Sequence, residues 1–153
     1  MKKIILILIY NFFWRNFLKI IIGLKYKNRN VLKKKKQFIL IANHNSHMDT
    51  MAIMSSIPPR YIHRVHPIAA ADFFGGSHLK EKLMRYMVNA TLIPRKRAES
   101  IEDVDPIQVM SNLIEKGRSI IVYPEGSRGY PGVMTDFKKG IGYLINKNPH
   151  VDV

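Results

Sequence analysis

The chain has 153 residues, 46% of them hydrophobic, enough for one modest core and too few for two independent domains. It contains no cysteine, which excludes a disulfide framework and thiolate metal sites. The formal net charge is +14, but eleven of the 25 Lys and Arg residues fall within residues 1–36, a stretch without Asp or Glu. Residues 37–153 are therefore close to neutral, and no nucleic-acid partner is expected, because such a domain carries its cations on the folded surface.

The N-terminal stretch MKKIILILIYNFFWRNFLKIIIGLKYKNRN opens like a signal peptide, yet no small-residue cleavage site follows its apolar run. A spanning helix needs about 20 mostly apolar residues, and Arg15 and Lys19 interrupt the run Ile4–Leu24. On a helix, Asn11, Arg15 and Lys19 make one polar stripe among Phe12, Phe13, Trp14, Phe17 and Leu18. This pattern predicts an interfacial helix with cations at the headgroups and aromatics in the acyl boundary. A packed amphipathic helix of a soluble fold is the alternative. Lys33–Lys36 would add about 1 kcal/mol per cation toward a nearby anionic leaflet. Residues 1–36 are thus read as a membrane-anchoring segment, with membrane lipids as partner and the cytoplasmic face of the cell membrane as its place.

From residue 37 the pattern changes. Gln37–Ala42 is an apolar run of strand length, consistent with burial on both faces. Thr50–Ser56 reads as a short helix stopped by Pro58-Pro59, and Val65–Ala71 as a second strand. HLKEKLMRYMVNA follows Ser77 as a helix with Leu79, Leu83, Tyr86 and Met87 on one side. Thr91–Pro94 is a short strand leading into the basic turn RKR. Asp105 is the expected N-cap of the next helix, with Pro106 at its first position and Gly117 at its end. Ser119–Tyr123 is another strand, and a final helix starts near Phe137. This alternation predicts an α/β fold, a layered mixed sheet flanked by helices and preceded by the helical membrane segment.

Three stretches carry candidate chemistry. In FILIANHNSHMDTMAI, Asp49 follows His44 by five residues. On one continuous helix that separation turns about 500° and leaves the two side chains about 140° apart. They meet only across a strand-to-helix corner, with His44 before the helix and Asp49 in its first turns. A carboxylate on one imidazole nitrogen would fix the tautomer and let the other nitrogen take a proton from a hydroxyl. Polar capping of the strand end is the alternative reading of this pair. HNSHMD fits neither the His-Glu-x-x-His nor the His-x-His-x-Asp zinc pattern, so no metal is expected. In VYPEGSRG, Gly126 permits close backbone approach and Arg128 offers a planar fork for phosphate or carboxylate. IPRKRA places three cations after a strand, as a solvated turn or a phosphate pocket, and HPIAAADFF is a further candidate pocket lining.

Taken in order, these stretches resemble the glycerolipid acyltransferase family, which includes 1-acylglycerol-3-phosphate acyltransferases. NHNSHMD is similar to the family's Asn-His-x-x-x-x-Asp block. PEGSRG resembles its Pro-Glu-Gly-Thr-Arg-Ser block, with Ser127 for Thr and Gly129 for Ser, and FKKG (137–140) is similar to the segment that follows. LIPRKR resembles the strand ending in Pro-x-x-Arg, which maps the functional arginine onto Arg97; Lys96 stands where an acidic residue is usual, and Arg95 is the rival position.

The resemblance covers about residues 37–150 and makes 37–153 an acyltransferase domain. It implies acyl transfer from acyl-CoA or acyl carrier protein to a lysophospholipid hydroxyl in phospholipid biosynthesis, with no bound cofactor. His44 would be the base and Asp49 its orienting partner, while Arg97, Glu125, Gly126, Ser127 and Arg128 would bind the glycerol phosphate. The family's fourth apolar block would begin where HVDV stands, so the domain is expected to lack its C-terminal part and to leave a sheet edge exposed. Two other classes remain open, a non-catalytic binder of anionic lipid and a metal-dependent phosphoesterase. The first predicts vesicle binding by the basic segment alone, the second loss of activity with chelator.

Overall fold

The computed structural model describes residues 1–71, 78–93, 105–130 and 132–153. Among these residues four short strands, β1 (Ile39–Ile41), β2 (Val65–Ala70), β3 (Thr91–Ile93) and β4 (Ser119–Val122), form one sheet in the order β1-β4-β2-β3. All three strand pairs are parallel, with Ile39 opposite Ile120, Val65 opposite Ser119 and Ile68 opposite Thr91. The sequence pattern led to a mixed sheet; the described sheet is parallel because a helix carries the chain back between successive strands. All four carboxyl ends therefore open on one edge. A parallel bridge from Phe38 to Asp152 continues the pairing outside β1.

Successive residues of the strands bury on opposite faces, which the period-two pleat requires of a sheet covered on both sides. Phe38, Val65 and Ile121 pack with Leu6, Tyr10, Met54, Ile57 and Ile62 on one face. Ile39 and Ile120 pack with Met110, Ile114, Leu144 and Val151 on the other. That second face is covered by α6 (Pro106–Glu115) and α7 (Gly140–Lys147). The caps of α6 are those expected from its sequence. Asp105 accepts from the Ile107 amide at 2.9 Å, Pro106 opens the helix, and Gly117 follows it at φ +71°.

The first face is covered by α4 (His47–Ser56) and by the N-terminal helix. The latter runs without a break through α1 (Lys2–Leu6), a π-helical stretch Ile7–Trp14 and α2 (Arg15–Ile20), ahead of a short α3 (Asn30–Lys34). Leu6, Tyr10 and Leu18 are fully buried, so the change of composition near residue 36 is not a packing boundary. No helix of the structure is long and apolar enough to cross a membrane among the described residues.

The polar stripe on this helix does not point outward as its spacing suggested. Asn11 donates to the Ile57 carbonyl at 2.8 Å, and Arg15 donates to the Ser55 carbonyl through both Nε (2.9 Å) and Nη2 (2.6 Å). Arg29 reaches the Ser56 carbonyl at 3.1 Å, and the Tyr26 hydroxyl meets Ser55 Oγ at 2.6 Å. The last carbonyls of a helix lack intrahelical donors and carry partial negative charge, so cationic side chains are favoured there. Lys19 alone of the stripe stays in solvent, while Ile4, Leu8, Phe12 and Phe13 are exposed.

Further along, α5 (His78–Leu83) continues as a π-helical stretch Met84–Val88. Leu79, Leu83, Tyr86 and Met87, grouped by the sequence pattern, are all exposed, whereas Val88 is buried. Of the remaining expectations, the final helix starts at Gly140 rather than near Phe137. The basic turn at 95–97 lies outside the described residues.

Arg15 links the N-terminal helix to α4 through two donors on one carbonyl. Arg15→Met is expected to lower the unfolding free energy by about 1–2 kcal/mol, read as a drop of several degrees in the thermal midpoint. An unchanged midpoint would show the link to be dispensable.

Candidate active site

Strand β1 ends at Ile41, and the chain turns through Ala42–Asn45 into α4, whose N-cap is Ser46. Ser46 Oγ accepts from the Met48 amide at 3.1 Å, and the Asp49 carboxylate reaches back to the Ser46 amide at 2.8 Å. This capping box explains the five-residue spacing. Asp49 sits at the third helical position, so its carboxylate faces the residues just before the helix. The same oxygen, Oδ2, also accepts from the Asn45 amide at 2.8 Å and lies 3.1 Å from His44 Nδ1. An ionised carboxylate can only accept, so in the neutral ring Nδ1 carries the proton and the lone pair is on Nε2.

The imidazole has a second constraint. It stacks on Tyr123 with ring centroids 4.0 Å apart and planes inclined by 18°. Tyr123 follows β4, the neighbour of β1, so the two rings emerge side by side from adjacent strands. The Tyr123 hydroxyl bonds Thr50 Oγ1 at 2.7 Å, and burial pushes its pKa up to about 12, so the phenol stays neutral. Sequence reasoning missed Tyr123 and Thr50. The only signal was a tyrosine immediately before the Pro-Glu-Gly stretch.

The Glu125 carboxylate is turned inward, with the residue 4% exposed. Oε1 accepts from the His44 amide at 2.9 Å; Oε2 accepts from the Thr135 hydroxyl at 2.7 Å and the Thr135 amide at 3.0 Å. The Thr135 hydroxyl, then its amide, then the His44 amide hold the Glu125 pKa below the usual carboxylate value. Gly129 returns a bond from its amide to the His44 carbonyl at 2.9 Å. Glu125 and Gly129 thus grip the backbone of His44 on both sides.

His44 lines a cavity of about 380 Å³ at the carboxyl edge of the sheet, walled mainly by apolar side chains of β2 and of the Met84–Val88 segment. Pro67–Ala70 of the HPIAAADFF stretch contribute to that wall, while Asp72, Phe73 and Phe74 lie outside the described residues. Gly126, Ser127 and Arg128 line the same cavity. Arg128 Nη1 lies 2.8 Å from His47 Nδ1 and 2.7 Å from His47 Nε2. His47, which falls on one of the x positions of the Asn-His-x-x-x-x-Asp block, therefore meets the guanidinium along the cavity lining. Arg97 and its rival Arg95 lie outside the described residues. Among the described residues, no three His, Asp or Glu side chains are grouped to hold a metal ion.

An acyltransferase family model matches residues 23–153, which include both halves of this site. The chain belongs to the glycerolipid acyltransferase family. Among curated proteins, human 1-acyl-sn-glycerol-3-phosphate acyltransferase beta is 28% identical over 140 residues, covering 89% of this chain and 47% of the relative. The alpha enzyme of the same name from human is 30% identical over 112 residues, covering 70% and 35%. The Caenorhabditis elegans protein acl-1 is 25% identical over 134 residues, covering 86% and 48%. The chain thus spans about half the length, or less, of these relatives. No solved structure matches.

The clamp at Glu125 carries a pH signature. Its folded pKa is lowered, so its ionised form contributes stability that is present above the ordinary carboxylate pKa, about 4.3. That contribution is lost as the pH falls through the lower folded value. Glu125→Gln, which sets an amide donor against donors, is expected to lower the thermal midpoint at pH 7 and to flatten its fall below pH ~4. Parallel acid limbs for the two proteins would contradict the clamp.

Proposed function

We propose that the protein transfers a fatty acyl group from the thioester of acyl-CoA or acyl carrier protein to the hydroxyl of a lysophospholipid, chiefly 1-acylglycerol 3-phosphate, giving phosphatidate in phospholipid biosynthesis. The observation that carries this reading is the His44–Asp49 pair, 3.1 Å apart, whose imidazole lines a largely apolar cavity that Arg128 also lines. His44 Nε2 removes the proton as the acceptor oxygen attacks the thioester carbonyl carbon. Collapse of the tetrahedral intermediate breaks the carbon–sulfur bond, and the imidazolium returns the proton to the leaving thiolate. Asp49 holds the ring in the required tautomer and stabilises its charged form. No acyl-enzyme is needed.

Arg128 and, by resemblance, Arg97 bind the phosphate of the acceptor, for which a permanently charged planar fork is suited. Ser127 and Gly126 bring the loop close to the acceptor. Glu125, whose carboxylate is already engaged by three donors, serves acceptor binding by shaping that loop. The apolar wall suits an acyl chain.

Residues 1–36 hold the enzyme on the membrane, at its cytoplasmic face. Ile4, Leu8, Phe12 and Phe13 are exposed on the N-terminal helix, and the eleven cations of the segment favour an anionic leaflet. The apolar face rather than the polar stripe makes the contact, since Asn11 and Arg15 are committed to α4.

Replacing His44 by alanine is expected to cut acylation of 1-acylglycerol 3-phosphate by about 10²–10⁴-fold, measured with acyl thioesters on membranes bearing the protein. Near-normal turnover would rule out His44 as the base. The double change Phe12→Ser and Phe13→Ser is expected to weaken partition onto phosphatidylglycerol vesicles about 10-fold without lowering the thermal midpoint. Unchanged partition would remove this face from the membrane contact.

A further inference from the structure

The rim of the cavity holds a cation with no role so far. Lys138 stands in the FKKG stretch, and its backbone amide donates to the Pro124 carbonyl at 2.9 Å. The chain returning from the Gly126–Arg128 loop is thereby tied to the start of that loop. The lysine side chain then lies directly across Gly126. A Cβ placed on Gly126 would be 2.6 Å from Lys138 Nζ, 2.7 Å from its Cε and 3.0 Å from its Cδ. Gly126 is also at φ +74°, so a bare α-carbon there satisfies both the backbone and the lysine stem.

The ammonium itself lies over Gly126. Lys138 lines the same cavity as His44, Ser127 and Arg128. Among the described residues its ammonium has neither an ion-pair nor a hydrogen-bond partner. An ammonium without a carboxylate partner keeps its charge available to a ligand.

We propose that Lys138 is a specificity-determining residue for the acceptor, binding its phosphate together with Arg128. The proposal rests on the acyltransferase reading and names a residue that selects the acceptor. A guanidinium takes two oxygens of a phosphate in one plane, and an ammonium is a compact charge that takes a third oxygen outside that plane. A phosphomonoester carries up to two negative charges near neutral pH, a phosphodiester one and a monoacylglycerol none. A second cation therefore favours 1-acylglycerol 3-phosphate over acceptors with a substituted or absent phosphate. Gly126 contributes by leaving the lysine its path.

The test is equilibrium binding of 1-acylglycerol 3-phosphate and of 1-acylglycerol, without donor, to the detergent-solubilised wild type and to the Lys138→Met and Lys138→Arg variants. Lys138→Met is expected to weaken binding of the phosphate acceptor about 10-fold or more and to leave that of 1-acylglycerol within about threefold. Lys138→Arg is expected to retain most of the phosphate preference. Lys138 is exposed, so equal thermal midpoints should show that the variants fold. Unchanged phosphate binding in Lys138→Met, equal losses in both variants, or no phosphate preference in the wild type would each overturn the proposal. Turnover with acyl-CoA, measured in parallel, separates the two readings. Phosphate-selective binding that depends on Lys138 without acyl transfer would sink the acyltransferase reading and leave the lysine assignment standing.

Discussion

A single buried carboxylate holds together parts of the chain that are far apart in sequence. Glu125 joins the corner after β1, the loop after β4 and the segment around Thr135 by accepting hydrogen bonds from two backbone amides and one hydroxyl. Leaving such a carboxylate without donors is costly, and leaving the amides without an acceptor is costly too. The three segments are therefore interdependent. The imidazole of His44 can be aimed only because its backbone is held by Glu125 from one side and Gly129 from the other.

Asp49 shows how local helix chemistry and site chemistry can share one group. Its Oδ2 closes the capping box of α4 and also faces His44 Nδ1. The donors at a helix start attract a carboxylate in any protein. Here the turn before the cap places an imidazole within reach of the same oxygen. The polar-capping and catalytic readings of the pair are therefore compatible: both describe one carboxylate, seen from the helix and from the cavity.

The readable parts of the sequence were those governed by neighbours along the chain. Asp105-Pro106 and Gly117 bounded α6, the apolar runs marked the strands, and the gap from His44 to Asp49 required a corner. The unreadable parts depended on what lay opposite in space. Periodicity grouped Asn11 with Arg15, and Leu79 with Leu83, but it could not tell which side of either helix faces the protein. Tyr123 beneath His44, Thr135 on Glu125 and Lys138 over Gly126 are contacts between segments, with no pattern to announce them.

Helix α4 is fastened at both ends, by the capping box at Ser46 and Asp49 and by Asn11, Arg15 and Arg29 on its final carbonyls. Ten residues at 1.5 Å each make it a strut of about 15 Å. One end carries His47 and the carboxylate that steers His44, and the other is riveted to the N-terminal helix. A shift of the N-terminal helix would therefore act through α4 on the Asp49 carboxylate that orients the imidazole. Anything that tilts or loosens the first 20 residues, whether a detergent, a change of bilayer or a fused tag, would act on the aim of a histidine at the far end of α4.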